Sequence, residues 1–183
     1  GVERLLGLTQ DVTSRNQAER ELQFRASHDV LTGLINRDEF ERRLEHMLSS
    51  VSSESLNHAL CFMDLDQFKV VNDTCGHVAG DELLRQLPDL FHKVLRSGDV
   101  VARLGGDEFG ILLENCELDQ ATVIADKIRQ EIQDFRFIWE QKVFTIGVSI
   151  GVVGIDQSAS DMSRIMSKAD MACYAAKDSG RNH

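Results

Sequence analysis

Basic charge is in short supply. The chain carries 20 Lys and Arg against 30 Asp and Glu, a formal net charge of -10. A general nucleic-acid binder would present a basic face, so that class is set aside and no nucleic-acid partner is expected. An anionic ligand would have to be held by a few placed cations and by metal. Cysteine is sparse and unpatterned. Cys61, Cys75, Cys116 and Cys173 form no Cys-x-x-Cys pair, and each sits in or beside an apolar run. They read as buried free thiols in a reducing compartment, not as disulfides or zinc ligands. No apolar run reaches membrane-spanning length and no secretory signal is visible. The segment is therefore expected to make no membrane contact and to lie in the cytoplasm. Gly1 is not a usual natural start, so a larger parent could carry membrane or sensor parts outside this segment. The single proline, Pro88, falls inside a helical pattern, where it can kink the helix. What remains is ordinary: 183 residues, 42% hydrophobic and 27% charged, enough for one domain and an appendage.

The centre of the chain is a pair of apolar runs, Val100 to Leu104 and Phe109 to Leu113. Both have strand length and composition. Gly105-Gly106 can adopt the positive φ of a two-residue hairpin turn. Asp107 and Glu108 follow directly, and on a strand their side chains point to opposite faces. One acid can then bind something while the other does a different job. The plainer reading is a solvated polar tip.

On the N-terminal side, Val2 to Val12 reads as a strand ending in Gln10-Asp11-Val12-Thr13, and Ser14 to His28 as a charged helix with Ala18, Leu22 and Ala26 on one stripe. That narrow stripe suits a short coiled coil or a solvated linker. A turn-rich stretch, His28 to Arg37, leads to a helix capped by Asp38 and running through Phe40, Leu44, Met47 and Leu48. Ser49 to Asn57 reads as a polar loop. Ala59 to Met63 is a buried strand running into Asp64-Leu65-Asp66. Acids at a strand end can place metal ligands at a sheet edge, or can simply cap a turn. Asn72-Asp73 and Gly76-His77 break a short helix, and a long one follows through Leu83, Leu87, Phe91 and Leu95. Glu117 to Phe135 is helical. Phe137 to Trp139 and Phe144 to Val153 read as two strands of a hairpin. Met162 to Lys177 is the last helix.

Five stretches together resemble the GGDEF family, the diguanylate cyclases. They are Asp29-Val30-Leu31-Thr32-Gly33-Leu34 with Asn36-Arg37, Phe68 to Asp81, Gly105 to Phe109, Thr145 to Gly151, and Ala176-Lys177 to Asn182. Ile35 stands where the family usually has proline. The resemblance covers Asp29 to Asn182. Residues 1-13 resemble the tail of a preceding PAS sensor domain, or are a tail with no fold of their own; 14-28 would be a signalling or linker helix, and 29-183 the GGDEF domain.

The resemblance implies an α/β fold, an α+β sandwich of the nucleotidyl-cyclase or polymerase palm type. Its central sheet would be mostly antiparallel, flanked by helices, with the signature at a β-hairpin turn. It implies condensation of two GTP into cyclic di-GMP at the interface of a homodimer. Mg²⁺ or Mn²⁺ would be held by Asp64, the Leu65 carbonyl and Asp107, with Glu108 near the attacking 3′-hydroxyl. Asn72, His77 and Asp81 would read guanine, whose adjacent donors an aspartate can accept together and adenine lacks. His77 could equally be a structural histidine at the helix start. Phe68, Lys69, Lys177 and Arg181 would hold phosphate, partly through free N–H groups at a helix start. Lys177 and Arg181 also suit a helix C-terminus as plain dipole partners. Arg96 and Asp99 would form an inhibitory site for the product, or an ordinary ion pair. The alternatives are a catalytically silent GTP-binding domain regulating a C-terminal phosphodiesterase, or a cyclic di-GMP receptor.

Overall fold

Strand β1 (His58–Asp66) runs through the middle of the molecule and organises both layers around it. In this computed structural model, residues 19, 21–54, 57–158 and 161–183 are described. The expected sensor tail, 1-13, and the start of the linker helix lie outside them. Residues 21–27 are helical. The remaining elements are α1 (Arg37–Glu54), α2 (Phe68–Cys75), α3 (His77–Val94), β2 (Val100–Gly105), β3 (Glu108–Leu113), α4 (Leu118–Asp134), β4 (Arg136–Trp139), β5 (Lys142–Thr145), β6 (Gly147–Ile155) and α5 (Met162–Asp178).

The main sheet has the order β2-β3-β1-β6, and every neighbouring pair is antiparallel. Side chains alternate along β1, so the strand feeds two cores. Ala59, Cys61, Met63 and Leu65 pack with α3 and α4 residues such as Leu83, Leu87, Phe91, Ala125 and Ile128. Leu60 and Phe62 pack on the other face with Phe40, Leu44 and Met47 of α1 and Ile165, Ala169 and Cys173 of α5. Four phenylalanines, Phe40, Phe91, Phe109 and Phe137, are fully buried. Each contributes roughly 1.5–3 kcal/mol through removal from water. All four cysteines are free thiols, three of them buried. Among the described residues no helix is long and apolar enough to cross a membrane.

The structure corrects several local expectations. Asn36, not Asp38, caps α1: its side-chain carbonyl accepts the Glu39 N–H at 3.0 Å. Asp38 falls instead in the first turn, where its charge suits the positive helix end. α1 also runs on through the expected polar loop to Glu54, because Val51 is fully buried. Ser49 and Ser50 tolerate the helix by donating their hydroxyls back to the His46 and Met47 carbonyls at 2.6 and 2.8 Å. Asn72-Asp73 does not break α2; only Gly76 does, at φ +83°, its N–H closing onto the Asn72 carbonyl at 2.8 Å. α3 continues through Pro88 to Val94. The run 144–153 is not one strand. It divides at Ile146: β5 pairs with β4 in a separate two-stranded ribbon, and β6 pairs with β1.

The hairpin tip lies one residue further on than the glycine pair suggests. Gly105 still pairs with Glu108 across a bulge, so the turn is Gly106-Asp107. Arg103 pins it, donating from Nε and Nη2 to the Gly106 carbonyl at 3.0 and 2.9 Å. Gly106 takes φ +48°, a conformation that disfavours residues with a Cβ.

Candidate functional site

Antiparallel register sets Asp64 of β1 directly opposite Glu108 of β3. The two carboxylates therefore share the sheet face covered by α1 and α5. Asp107 sits on the turn beside them, and its carbonyl accepts the Leu65 N–H at 3.1 Å. The hairpin tip is thus bonded to the backbone of the strand it overhangs. Three acids converge where β1 ends.

Two cations answer them. Lys177 of α5 places Nζ 2.7 Å from Asp64 Oδ1. Arg37 of α1 reaches Glu108 at 3.5 Å and donates Nε to the Leu104 carbonyl at 3.0 Å. The acids still outweigh the cations. Burial raises the Asp64 carboxyl above its ordinary value, and Asp107 and Asp66 add to this against the opposing Lys177. Burial likewise raises Glu108, with Asp64, Asp107 and Asp170 pushing the same way against Arg37. Burial disfavours the charged form of Lys177, but its bond to Asp64 outweighs this and holds the ammonium above its ordinary value. Clustered hard oxygens with surplus negative charge are what a small divalent cation relieves, with waters and phosphate oxygens completing its shell. The residues present fit Mg²⁺ or Mn²⁺ on this chemistry: Asp64, Asp107 and the Leu65 carbonyl would hold it. Among the described residues no three His, Cys, Asp or Glu side chains form a ready-made cage, here or elsewhere, so the carbonyl, waters and phosphate oxygens would have to complete the shell.

Beyond Asp66 the chain turns through Gln67, which takes φ +64°, and enters α2 with Phe68 and Lys69 in its first turn. Asn72 lies further along α2, while His77 and Asp81 stand exposed in the first turns of α3. Asn72 faces Gly80. A Cβ at Gly80 would fall 2.0 Å from Asn72 Oδ1, so only glycine lets the amide lie there. That Oδ1 is buried and has no partner among the described residues. Asn72, His77 and Asp81 thus all lie on the α2–α3 corner.

The phosphate candidates divide. Lys177 lies on Asp64, whereas Arg181 lies beyond the end of α5 in a separate cavity of about 440 Å³ with Gln67, Arg136, Gly147 and Asn182. Arg96 and Asp99 form an ion pair at 3.1 Å, and Asp99 also accepts the Arg96 N–H. The Arg96 guanidinium further donates to the Glu114 carbonyl. This pair is at the far end of β2 from the tip, roughly 20 Å away at about 3.3 Å per residue. It borders a cavity of about 330 Å³ lined by Val94, Cys116, Val123 and Ile124.

Sequence reasoning missed three contacts: Arg37 on Glu108, the Asp29–Arg103 ion pair at 3.2 Å, and the buried Asp66 with its partner Ser149. The last had a signal. Ser149 is a lone hydroxyl in an apolar strand, and a buried hydroxyl requires a partner.

A four-stranded antiparallel sheet with helices on both faces and acids gathered at a hairpin tip defines a palm-type nucleotidyl cyclase fold. The family described as "Diguanylate cyclase, GGDEF domain" matches residues 26–183, and the chain belongs to it. The probable diguanylate cyclase DgcE of Escherichia coli K12 is 50% identical over 172 residues, 94% of this chain but only 16% of that protein. YhcK of Bacillus subtilis is 33% identical over 89% of this chain and 46% of its own length. The chain thus spans less than half the length of these relatives. Among solved structures, the coiled coil and GGDEF domain of DgcB from Caulobacter crescentus, in complex with c-di-GMP, superposes with a TM-score of 0.86 at 27% identity. It covers 98% of this chain and 95% of that one.

Proposed function

We propose that this segment is a diguanylate cyclase. Two GTP molecules, one on each of two facing subunits, condense to cyclic di-GMP. Each 3′-oxygen forms a bond to the other α-phosphorus, and each α–β phosphoanhydride bond breaks, releasing pyrophosphate. The observation that carries this reading is the placement of Asp64 opposite Glu108, with Asp107 bonded over them at the tip.

Glu108, held above its ordinary carboxylate range by burial and by its acidic neighbours, is suited to accept the proton of the 3′-hydroxyl. A bound divalent cation would supply charge neutralisation at phosphorus and acidify the attacking hydroxyl. Asp64, Asp107 and the Leu65 carbonyl would be its holders. Lys177 contributes positive charge beside Asp64, and Arg181 with the N–H groups at Phe68 and Lys69 holds the outer phosphates. Asn72, His77 and Asp81 read guanine from the α2–α3 corner. Arg96 and Asp99, remote from the tip, bind product and restrain turnover. Dimer formation is assigned to the helix ahead of residue 29, where Leu22 is exposed.

The test is incubation of the segment with GTP and Mg²⁺ followed by chromatography. Cyclic di-GMP from the wild type and none from Asp107→Ala is expected. Bound GTP without product, even when the helix is fused to a strong dimerising coiled coil, would favour a silent regulatory domain instead.

A further inference from the structure

Asp66 is an aspartate two residues past Asp64 whose charge is felt by Asp64 but whose hydrogen bonds all lead away from the acid cluster. It is only 5% exposed. Among the described residues it has no cation within ion-pair distance. Its partners are neutral donors from two other elements. Ser149 Oγ of β6 lies 2.9 and 3.1 Å from the two carboxylate oxygens, and the backbone N–H of Asn182 lies 2.8 Å from Oδ2. The next residue is tied as well: the His183 carbonyl accepts the Ile150 N–H at 2.9 Å. The space is closed on the remaining side, since a Cβ at Gly147 would meet Asp66 Oδ2 at 3.1 Å and Asn182 Cβ at 3.2 Å.

These bonds hold a strained segment. Arg181 and Asn182 take φ +65° and +50°, left-handed conformations that non-glycine residues adopt only when something fixes them. The Arg181 N–H returns to the Ala176 carbonyl at 3.2 Å, and the clamp on Asn182 lies immediately after it. Arg181 is therefore set between two backbone anchors, one of which is Asp66. On its other side Asp66 directly precedes left-handed Gln67 and the start of α2. One buried carboxylate thus ties the residue that precedes the turn into α2 to the C-terminal strap, and Gln67 of the turn lines the same cavity as Arg181 and Asn182 of the strap.

We propose that Asp66 is a positioning residue for the outer phosphates of the nucleotide. It acts through Asn182 to aim the Arg181 guanidinium, and Ser149 keeps the carboxylate in place. This inference rests on the proposed phosphate role of Arg181.

The test measures affinity for a non-hydrolysable GTP analogue and for GMP in four variants: Arg181→Ala, Asp66→Ala, the double variant and Asp66→Asn. Arg181→Ala is expected to weaken the triphosphate about tenfold and leave GMP unchanged. Asp66→Ala should lose a similar factor, again for the triphosphate alone. The double variant should be no weaker than Arg181→Ala, because both changes remove one interaction. Asp66→Asn should recover most of the loss, since it keeps an acceptor for the Asn182 N–H. If Asp66→Ala does not fold, Ser149→Ala replaces it in the cycle, with a loss of about threefold that vanishes in the Arg181→Ala background. Multiplying losses, an equal fall in GMP affinity, or wild-type binding by the Asp66 or Ser149 variant would overturn the positioning role while leaving Arg181 at the phosphates. Wild-type triphosphate binding by Arg181→Ala would overturn the phosphate reading itself, and the positioning role with it.

Discussion

Asp29 shows how one residue reports on the tip. Burial works against its charge, yet Thr32 donates its N–H and hydroxyl at 2.9 and 2.6 Å and Arg103 lies 3.2 Å away. The donors win, and the carboxyl is held below its ordinary 3.8. A depressed folded pKa stabilises the native state above the unfolded value and loses that contribution as pH falls through the folded one. Asp29→Asn is expected to lower stability by about 1–2 kcal/mol at pH 7, with the gap to wild type narrowing steadily below pH 3.8. Urea midpoints at pH 7 and pH 3 check this; a gap independent of pH would mean that the ion pair is not its source. Gly80 separates stability from binding in another way. Alanine there gains about 1 kcal/mol of helix propensity. Its Cβ displaces Asn72 Oδ1, a side-chain end with no partner among the described residues to lose. Gly80→Ala should therefore fold within about 1 kcal/mol of wild type but bind guanine nucleotides about tenfold more weakly. Calorimetry on a GTP analogue, with a melting curve beside it, reads both quantities.

Among the elements, the hairpin and α5 do most to place the site. Their identities were legible early, because Val100 to Leu113 and Met162 to Lys177 carry plain strand and helix periodicity. The exact turn was not. Two glycines mark a hairpin but do not say which pair of residues crosses over; in the structure Arg103 holds the Gly106 carbonyl and the turn is Gly106-Asp107, a side-chain contact that the glycine pair itself does not encode. The α1 cap is ambiguous for a similar reason: Asn36 and Asp38 are both good cap residues, and it is Asn36 that accepts the Glu39 N–H. α5 lies hard against β6 at Gly151. A Cβ there would meet the Ala169 carbonyl at 2.2 Å and the Cys173 nitrogen at 2.4 Å. Both are backbone atoms and cannot rotate aside. Gly151→Ala is expected to cost about 3 kcal/mol, as overpacking does when helix and sheet must separate, and to loosen Lys177 from Asp64. A thermal melt tests the first consequence. An unchanged melting temperature would mean that α5 is less tightly seated than these distances require.

For the molecule as a whole, the sandwich around an antiparallel sheet was readable from motif order and resemblance. The partition of 144–153 between two sheets was not, because both halves have strand composition and only the pairing partners differ. The candidate residues were also legible, but not their grouping. Lys177 and Arg181 are four apart in the chain, yet the end of α5 and the left-handed strap send them to different places. On the proposed reading the described chain offers one tip and one guanine corner, whereas a cyclic dinucleotide needs two of each, so two subunits would have to meet for turnover. The most direct measurement is the initial rate of cyclic di-GMP formation from GTP and Mg²⁺ over a range of protein concentrations, with Asp107→Ala alongside. The predicted result is a rate that rises as the square of protein concentration at the dilute end and is absent in the variant. A rate strictly proportional to protein throughout, or product formation that survives Asp107→Ala, would contradict a dimeric cyclase working at the hairpin tip.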